Sequence, residues 1–344
     1  MKPTRAMVLA AGLGIRMRPL TSQLPKPALP VMNRPLISHV LRHLAAHGVT
    51  AAVINAHTMP DKLEEAVMRA APPEIDLTFS RESTILGTAG GLKKAARHFG
   101  SEGFYLVNSD SLSDADLTAA AAAHTASGRT ATMIVRSHEP AHGYRPVYAA
   151  ARGAGGGTAA RLTGIAGRRW GPERGWPRTF TGVHILEPRV LDAIPAGRAC
   201  DINADVYPSL LDEDEDSVGT WMHDGWWFEA GSPARYLDLN LEMIAQAGRT
   251  AVVGPGFFID EEAGIRRCAL GAGVRLERAV ELDDCVVWDA VTIKEGAKLR
   301  RCIVTGGAIV EASSHWENRI LMPDGEGALN AHPLAAGPEP EGRT

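Results

Sequence analysis

The chain of 344 residues is 45% hydrophobic and 22% charged, with a formal net charge of −4 at pH 7. This length is enough for roughly two domains, and the composition is typical of a globular protein rather than a disordered or membrane-embedded chain. The 36 Lys and Arg residues are spread along the chain and are outnumbered by 40 Asp and Glu residues, which argues against a protein that binds nucleic acid.

Neither the amino terminus nor the cysteines suggest export or a metal site. A short apolar run ends at Gly12 and is followed by Arg16 and Arg18, unlike a signal peptide, and no stretch of about 20 apolar residues follows. We therefore expect a cytoplasmic protein with no membrane partner. The four cysteines form no CxxC pair and have no histidine at zinc spacing, so we expect reduced, packed thiols at Cys200, Cys268, Cys285 and Cys302.

Up to about residue 240, short apolar runs alternate with helical patterns. In the first predicted helix, Leu36, Val40 and Leu44 fall on one stripe. The alternation predicts an α/β fold with a Rossmann-like, mostly parallel sheet flanked by helices. The predicted strands are 6–10, 51–55, 77–80, 104–108 and 130–135. The predicted helices are 35–47, a segment after Pro60, and 115–126.

From residue 252 onward, the sequence repeats with a period of 17 residues, because segments 266–270, 283–287 and 300–304 align. Valines also recur six apart, at 274, 280 and 286, which is hexapeptide spacing. We predict a short parallel β-helix of about three coils, in which a cysteine from each coil packs in an internal ladder. The predicted domains are therefore 1–248, the β-helix at 249–322, and a disordered, Gly-, Ala-, Pro- and Glu-rich tail at 323–344.

The most informative segment is a glycine-containing loop that directly follows the first predicted strand. Residues 9–21 read Leu-Ala-Ala-Gly-Leu-Gly-Ile-Arg-Met-Arg-Pro-Leu-Thr, and Pro-Lys-Pro follows at 25–27. The glycines would let backbone N–H groups approach a phosphate chain, which Arg16 and Lys26 would neutralise. A dinucleotide fingerprint needs a glycine where Met17 stands, and a P-loop needs a Gly-Lys-Ser/Thr sequence that this loop lacks. A bare Gly-x-Gly would equally suit a simple turn between strand and helix.

This string resembles the signature of the sugar-phosphate nucleotidyltransferases. The resemblance continues through residues 86–91, which read Leu-Gly-Thr-Ala-Gly-Gly, and through Asn-Ser-Asp at 108–110. Residues 180–183 and 227–233 are similar to the acceptor-side strand and the closing element of the family. The family implies an enzyme that converts a nucleoside triphosphate and a sugar 1-phosphate into an NDP-sugar and pyrophosphate. A C-terminal left-handed β-helix is also common in it, notably in mannose-1-phosphate guanylyltransferase-like members.

The resemblance assigns roles to individual residues. Arg16, Lys26 and Asp110 would be catalytic, and Asp110 and Glu229 would hold Mg²⁺. The residues expected to bind the nucleotide are Leu9, Ala11, Gly12, Gly14, Glu82, Gly87, Thr88 and Asn108. The residues expected to bind the sugar phosphate are Thr181, Gly182 and Arg168. Simpler alternatives are a helix cap for Asp110 and solvated surface positions for Glu82 and Arg168.

Two departures from the family pattern support a second hypothesis. Glu229 stands where the family usually has Asp, and the extra methylene moves the carboxylate by roughly one C–C bond, although Mg²⁺ is strict about geometry. Ile15 replaces the usual Thr. The chain could therefore be a non-catalytic, nucleotide-sugar-binding regulatory homologue, although Arg16 and Lys26 are retained. A third hypothesis, an acyltransferase built on hexapeptide coils, has less support because only about three coils are predicted.

The sequence leaves the nucleobase and the sugar open. Analogy with the family favours GTP and mannose 1-phosphate, while UTP, CTP and the phosphates of glucose, heptose or amino sugars are alternatives. The oligomeric state is open as well, with a homo-oligomer as one candidate, because solenoids of this type commonly pack against a partner subunit.

Overall fold

The structure, a computed structural model, describes residues 2–140, 143–151, 155–172 and 174–334. By its internal contacts the chain divides into two compact units. Unit 1 contains the residues up to Leu13 and Ile37–Phe228, and unit 2 contains Gly14–Leu36 and the residues from Glu229 onward. This division differs from the predicted boundary at residue 248, because Gly14–Leu36 and the helix Pro233–Gln246 belong to the same unit as the β-helix. It also separates the two glycines of the loop.

Up to residue 246, strands alternate with helices. In chain order these elements are β1 (Arg5–Leu9), β2 (Pro30–Val31), β3 (Arg34–Pro35), α1 (Leu36–Ala46), β4 (Ala51–Ala56), α2 (Pro60–Ala70), β5 (Asp76–Arg81), α3 (Gly87–Lys94), β6 (Phe104–Asn108), β7 (Ser111–Ser113), α4 (Leu117–Ser127), β8 (Ala131–Ser137), β9 (Val147–Ala149), β10 (Ala159–Ile165), β11 (Arg168–Arg169), β12 (Trp176–Leu186), α5 (Tyr207–Glu213), β13 (Val218–Met222), β14 (Trp227–Glu229) and α6 (Pro233–Gln246).

Unit 1 is built around one mixed sheet with the strand order β11-β10-β13-β8-β12-β6-β1-β4-β5, in which β9 pairs with both β10 and β12. β1 runs parallel to β4 and β6, and β4 runs parallel to β5. The long strand β12 is antiparallel to β6 and to β8. The predicted α/β class is confirmed, and the strand that leads into the glycine loop lies in the parallel part of the sheet.

The local sequence explains these elements. Ala6, Met7 and Val8 of β1 are fully buried, as expected for a central strand that is covered on both faces. The apolar stripe predicted for α1 is also buried. At α4, the Asp116 side chain accepts a hydrogen bond from the Ala119 N–H and so caps the helix, which ends at Gly128 with a φ of +64°.

Unit 2 contains the β-helix, a run of short strands. These are β15 (Ala251–Val253), β16 (Phe258–Ile259), β17 (Gly264–Arg266), β18 (Cys268–Leu270), β19 (Arg275–Leu276), β20 (Glu281–Asp283), β21 (Val286–Val287), β22 (Thr292–Ile293), β23 (Lys298–Arg300), β24 (Ile303–Val304), β25 (Ile309–Val310), β26 (His315–Glu317), β27 (Arg319–Pro323) and β28 (Leu329–Pro333).

The β-helix strands form three parallel faces, β15-β18-β21-β24-β27, β16-β19-β22-β25 and β17-β20-β23-β26. Every parallel pairing joins residues 17 positions apart, for example Ile259 with Leu276 and Leu282 with Leu299. The predicted period is therefore confirmed as the register of the solenoid. Two of the faces have four strands each, so the solenoid extends one coil beyond the three visible in the sequence repeat.

The predicted cysteine ladder is confirmed as core packing. Cys268, Cys285 and Cys302 are fully buried, and all are free thiols. The thiols of Cys268 and Cys285 each donate to the backbone carbonyl two residues earlier, at 3.2 Å. Burial raises the pKa of the Cys285 thiol well above its usual value, so this sulfur stays protonated and unreactive.

The end of the chain differs from the prediction of disorder. β28 pairs antiparallel with β27 and extends one face of the solenoid, so the predicted disorder is wrong for the strand Leu329–Pro333. Pairing with β27 supplies the backbone hydrogen bonds of this segment. The predicted disorder of 335–344 falls outside the described residues.

The early segment and α6 pack against the solenoid within unit 2. The Met32 N–H donates to Asn240 Oδ1 at 2.9 Å, and the Asn33 side chain donates to the Leu270 carbonyl at 2.6 Å. The Trp288 indole N–H donates to the buried Tyr236 hydroxyl at 3.1 Å. Across the parts of the chain that the structure describes, no helix combines the length and apolarity needed to cross a membrane.

Candidate functional site

The first half of the glycine loop begins where β1 ends, at the carboxyl edge of the parallel strands. Leu9 pairs with Asn108 across the β1–β6 register, and the Ser109 N–H donates to the Leu9 carbonyl at 3.2 Å. The structure therefore brings together Leu9 and Asn108, two of the residues that the resemblance assigns to nucleotide binding. Ala11 and Gly12 follow directly, and a Cβ placed on Gly12 would meet no atom within 4 Å. Packing within the chain does not require a glycine there.

Asn108 and Asp110 lie beside the predicted acceptor strand β12. Gly182, on β12, has a φ of +93°, and a Cβ there would lie 3.0 Å from Ser111 Oγ and 3.2 Å from Asn108 Cβ. Gly182 is therefore required by its backbone angle and by close packing against the Asn108–Ser111 turn. Asp110 is half-buried, and the Ser111 hydroxyl lies 3.4 Å from Asp110 Oδ1.

The contacts bear on the role predicted for Thr181 and on the alternative considered for Asp110. The Thr181 hydroxyl is buried and donates to the Ile134 carbonyl at 2.8 Å, while the Thr181 carbonyl accepts from the Trp227 indole at 2.8 Å. This hydroxyl is thus committed to the sheet. The helix cap considered for Asp110 is instead supplied to α4 by Asp116.

Residues 86–91, which we call the second loop, are held by Cys200 and Asp201, which we call the strap around Cys200. The Cys200 carbonyl accepts from the Ala89 and Gly90 N–H groups at 3.0 and 3.1 Å, and the Cys200 N–H donates to the Leu86 carbonyl at 2.8 Å. The Thr88 hydroxyl donates to Asp201 Oδ2 at 3.1 Å. The first turn of α3 therefore uses Thr88 and these amides within the chain, and the prediction that Gly87 and Thr88 bind nucleotide gains no support from their contacts.

Glu82 is 5% exposed, which rules out the solvated position considered for it. Its Oε1 accepts from the Asn55 side chain at 2.8 Å, and its Oε2 accepts from the Leu86 N–H at 3.0 Å. Asn55 in turn accepts from the Ala10 N–H at 2.7 Å. The sequence reasoning missed Asn55, although a polar residue that ends an apolar strand is a recognisable signal.

Arg168 lies on the edge strand β11, away from the other residues predicted to bind the sugar phosphate in the strand order. Its guanidinium donates to both carboxylate oxygens of Asp212, at 2.7 and 2.9 Å. The Trp170 indole donates to the same carboxylate at 2.9 Å. Because Asp212 already neutralises this cation, the geometry favours a structural ion pair over the predicted phosphate contact.

The second half of the glycine loop belongs to unit 2. Gly14 has a φ of +62°, and a Cβ there would lie 2.9 Å from Thr21 Cγ2 and 3.5 Å from Lys26 Cβ. Arg16 lies 3.8 Å from Glu229 Oε1, and the Arg235 Nε donates to the Glu229 carbonyl at 3.1 Å. The structure therefore places Lys26 beside Gly14, and Arg16 beside the carboxylate predicted to hold metal.

The described carboxylates are compatible only with a metal ion that takes few protein ligands. Within the described residues, no group of three or more His, Cys, Asp and Glu side chains could hold a metal by itself. Mg²⁺ usually takes one or two protein carboxylates and completes its shell with water and substrate phosphates. A half-buried Asp110 at a strand end is compatible with that mode of binding.

Comparison with known proteins gives two family matches. Residues 5–246 match the family model described as nucleotidyl transferase. Residues 232–315 match a model described as a GlmU-like C-terminal hexapeptide, in agreement with the predicted left-handed β-helix.

Curated relatives and a solved structure are similar to this chain at low identity. The chain is 28% identical over 317 residues to a mannose-1-phosphate guanyltransferase of Aspergillus fumigatus, with 84% of each chain covered. It is 25% identical over 306 residues to a mannose-1-phosphate guanylyltransferase of Mycobacterium tuberculosis, covering 84% of this chain and 81% of that protein. A UTP–glucose-1-phosphate uridylyltransferase of Synechocystis is 30% identical over 221 residues, which are 60% of this chain and 55% of that protein.

The solved structure of UTP-bound UGPase from Acinetobacter baumannii shares the fold. It superposes with a TM-score of 0.59 at 19% identity, covering 72% of this chain and 94% of that one.

Proposed function

We propose that this chain, which belongs to the nucleotidyl transferase family, transfers a nucleotidyl group from a nucleoside triphosphate to a sugar 1-phosphate and releases pyrophosphate. The observation that carries this proposal is the glycine loop, which leaves β1 between the parallel strands β4 and β6. Open α/β sheets bind ligands at the carboxyl ends of such strands. The family match also includes every site residue predicted from the sequence.

In this reaction an oxygen of the sugar 1-phosphate attacks the α-phosphorus, and the bond to the bridging oxygen of the β-phosphate breaks. Both reactants are anions, so their charge must be offset before they meet. We assign this role to Arg16 and Lys26, and we assign phosphate contact to the backbone N–H groups of the glycine loop. Asp110 and Glu229 would hold Mg²⁺, which neutralises phosphate charge when it is bound.

We further propose GTP and mannose 1-phosphate as the substrates. Two of the relatives that align over more than four fifths of their length are named for that activity. The Synechocystis relative, which aligns over a smaller share, makes UTP and glucose 1-phosphate the main alternative. The cytoplasmic location stays a prediction.

The test is pyrophosphate release by the purified protein with Mg²⁺ and a panel of GTP, UTP, CTP and ATP, each with mannose or glucose 1-phosphate. Asp110→Asn and Lys26→Met should each lower kcat/KM by about 10² to 10³. Asp76→Asn is the matched control, because Asp76 is exposed at the amino end of β5, and it should leave kcat/KM unchanged. Wild-type kcat/KM in both site variants would refute the assignment.

The regulatory hypothesis keeps one observation in its favour, the 3.8 Å approach of Arg16 to Glu229. This contact would lower the charge that each side chain offers to phosphate or metal. If the protein binds nucleotide but releases no pyrophosphate with any substrate pair, the regulatory hypothesis prevails. Recovery of turnover in Glu229→Asp would then identify the longer side chain as the cause.

A further inference from the structure

Asn55 and Glu82 connect the starts of the two loops of unit 1 through three hydrogen bonds. The Ala10 N–H donates to Asn55 Oδ1 at 2.7 Å, and the Asn55 side-chain amide donates to Glu82 Oε1 at 2.8 Å. The Leu86 N–H completes the series by donating to Glu82 Oε2 at 3.0 Å. We call these contacts the Asn55–Glu82 bridge.

The strand order of the sheet explains how two side chains can connect the glycine loop with the second loop. β1, β4 and β5 are consecutive parallel strands, and their carboxyl ends lie at one edge. Ala10 follows β1, Asn55 lies near the end of β4, and Glu82 follows β5. Neighbouring strands are about 4.8 Å apart, so a residue on the middle strand is within reach of both neighbours.

We propose that the bridge is a positioning device that sets the spacing between the glycine loop and the second loop. The family resemblance suggested that Glu82 touches the nucleotide. In this proposal Glu82 instead affects nucleotide binding through the two loops. This inference rests on the proposed function, because it assumes that the loops hold the nucleotide.

Burial and packing support a fixed bridge. Asn55 and Glu82 are 3% and 5% exposed, so losing any one of these bonds leaves a polar group without water to replace the partner. α3 presses directly on the bridge, because a Cβ at Gly91 would lie 2.7 Å from Glu82 Oε1 and 2.9 Å from Asn55 Nδ2. Gly91 therefore leaves the space beneath α3 that the bridge occupies.

The chemistry of the bridge restricts which side chains can form it. The backbone N–H groups of Ala10 and Leu86 both donate to the bridge. Each of the two side chains must therefore accept from its backbone N–H, and one side chain must also donate to the other. One amide and one carboxylate satisfy this requirement in either order. Two carboxylates repel each other with no donor between them, and two amides leave one pair of donors facing each other.

A swap of the two groups therefore tests the proposal. Asn55→Asp and Glu82→Gln should each raise the Kd for a nucleoside triphosphate by about 10-fold or more, because each leaves a buried group unpaired. The double variant Asn55→Asp/Glu82→Gln restores all three bonds and should return the Kd to within about 3-fold of wild type. If Glu82 touches the nucleotide directly, the double variant binds as weakly as the single variants.

Titration calorimetry with GTP and UTP measures these Kd values, and circular dichroism melts report stability. The control Tyr105→Phe removes another buried hydrogen bond in unit 1, from the Tyr105 hydroxyl to the Leu117 carbonyl at 2.9 Å. It should lower the melting temperature without changing the Kd. If a single variant does not fold, Gly91→Ala keeps every polar group, displaces the bridge sterically, and should also raise the Kd.

The outcomes separate this inference from the proposed function. Wild-type Kd values in the single variants and in Gly91→Ala, or no recovery in the double variant, would overturn the bridge proposal. Nucleotide binding by the wild type without pyrophosphate release would overturn the enzymatic function. The Kd values of the wild type, the two single variants and the double variant would still decide the role of the bridge. A wild type that binds no nucleotide would overturn both.

Discussion

Replacing Gly87 with alanine tests how closely the second loop is fitted to the strap around Cys200. Gly87 has a φ of +72°, and a Cβ there would lie 2.6 Å from the Cys200 carbonyl oxygen. This oxygen accepts hydrogen bonds from the Ala89 and Gly90 N–H groups. An alanine must therefore displace the carbonyl that holds the first turn of α3.

The size of the effect follows from a matched glycine. Gly128 has a φ of +64°, and a Cβ there would meet no atom within 4 Å. Both Gly→Ala changes carry the left-handed backbone penalty of about 1–2 kcal/mol. Only Gly87→Ala adds a steric overlap, and overpacking typically costs about 1–3 kcal/mol. We therefore expect Gly87→Ala to be more destabilising than Gly128→Ala by about 1–3 kcal/mol.

Urea and thermal melts of the two variants measure this difference, with about 2–4 °C of melting temperature expected for each kcal/mol. Turnover is the second measurement. A loop displaced by about 1 Å can lower kcat/KM by about 10²-fold, whereas Gly128→Ala should retain the wild-type value. Equal destabilisation by the two variants would refute the reasoning, because it would mean that the strap yields to the added methyl group without loss.

Three further predictions concern pH, the core of unit 2 and the thiols. Burial lowers the pKa of His184 from 6.5 to about 3. Because the unfolded chain then binds the extra proton, the free energy of unfolding should fall by about 1.4 kcal/mol per pH unit as the pH drops from 6.5 toward 3. Urea melts of His184→Gln should show a weaker dependence on pH. Tyr236→Phe removes the acceptor of the buried Trp288 indole and should lower the free energy of unfolding by about 1–3 kcal/mol in the same melts, and an unchanged value would contradict the contact. All four cysteines are buried, so a thiol reagent should label them slowly in the native protein and fully in urea.

The β-helix was the part of the fold that the sequence predicted best, because its period appears directly as strand register. Residues 17 apart stack in successive coils, and some of the buried stacks repeat a residue type, as at Leu282 and Leu299. The extra coil was missed because Ala251, which pairs with Cys268, stands where the later coils have a cysteine. The strand β28 was missed because it is short and lies in a Gly-, Ala-, Pro- and Glu-rich tail, and its pairing with β27 appears only in the structure.

The candidate site was predictable where a motif sits at a strand end. The carboxyl ends of parallel strands meet at one edge, and the structure accordingly pairs Leu9 with Asn108. Gly182, which lies inside β12, was assigned from the family resemblance, and the physical requirement for glycine there, close packing against Ser111, appears only in three dimensions.

The predictions that the structure does not support share a cause, which is a partner far away in the sequence. Thr88 donates to Asp201 across 113 positions, and Arg168 pairs with Asp212 across 44. A hydroxyl or a guanidinium in a loop has the same appearance in a sequence whether it binds a phosphate or a carboxylate of its own chain. Burial and hydrogen-bond geometry separate the two roles. Glu82 illustrates this, because both of its carboxylate oxygens accept hydrogen bonds from its own chain, and on this ground we propose that it acts on ligand binding through the loops that it connects.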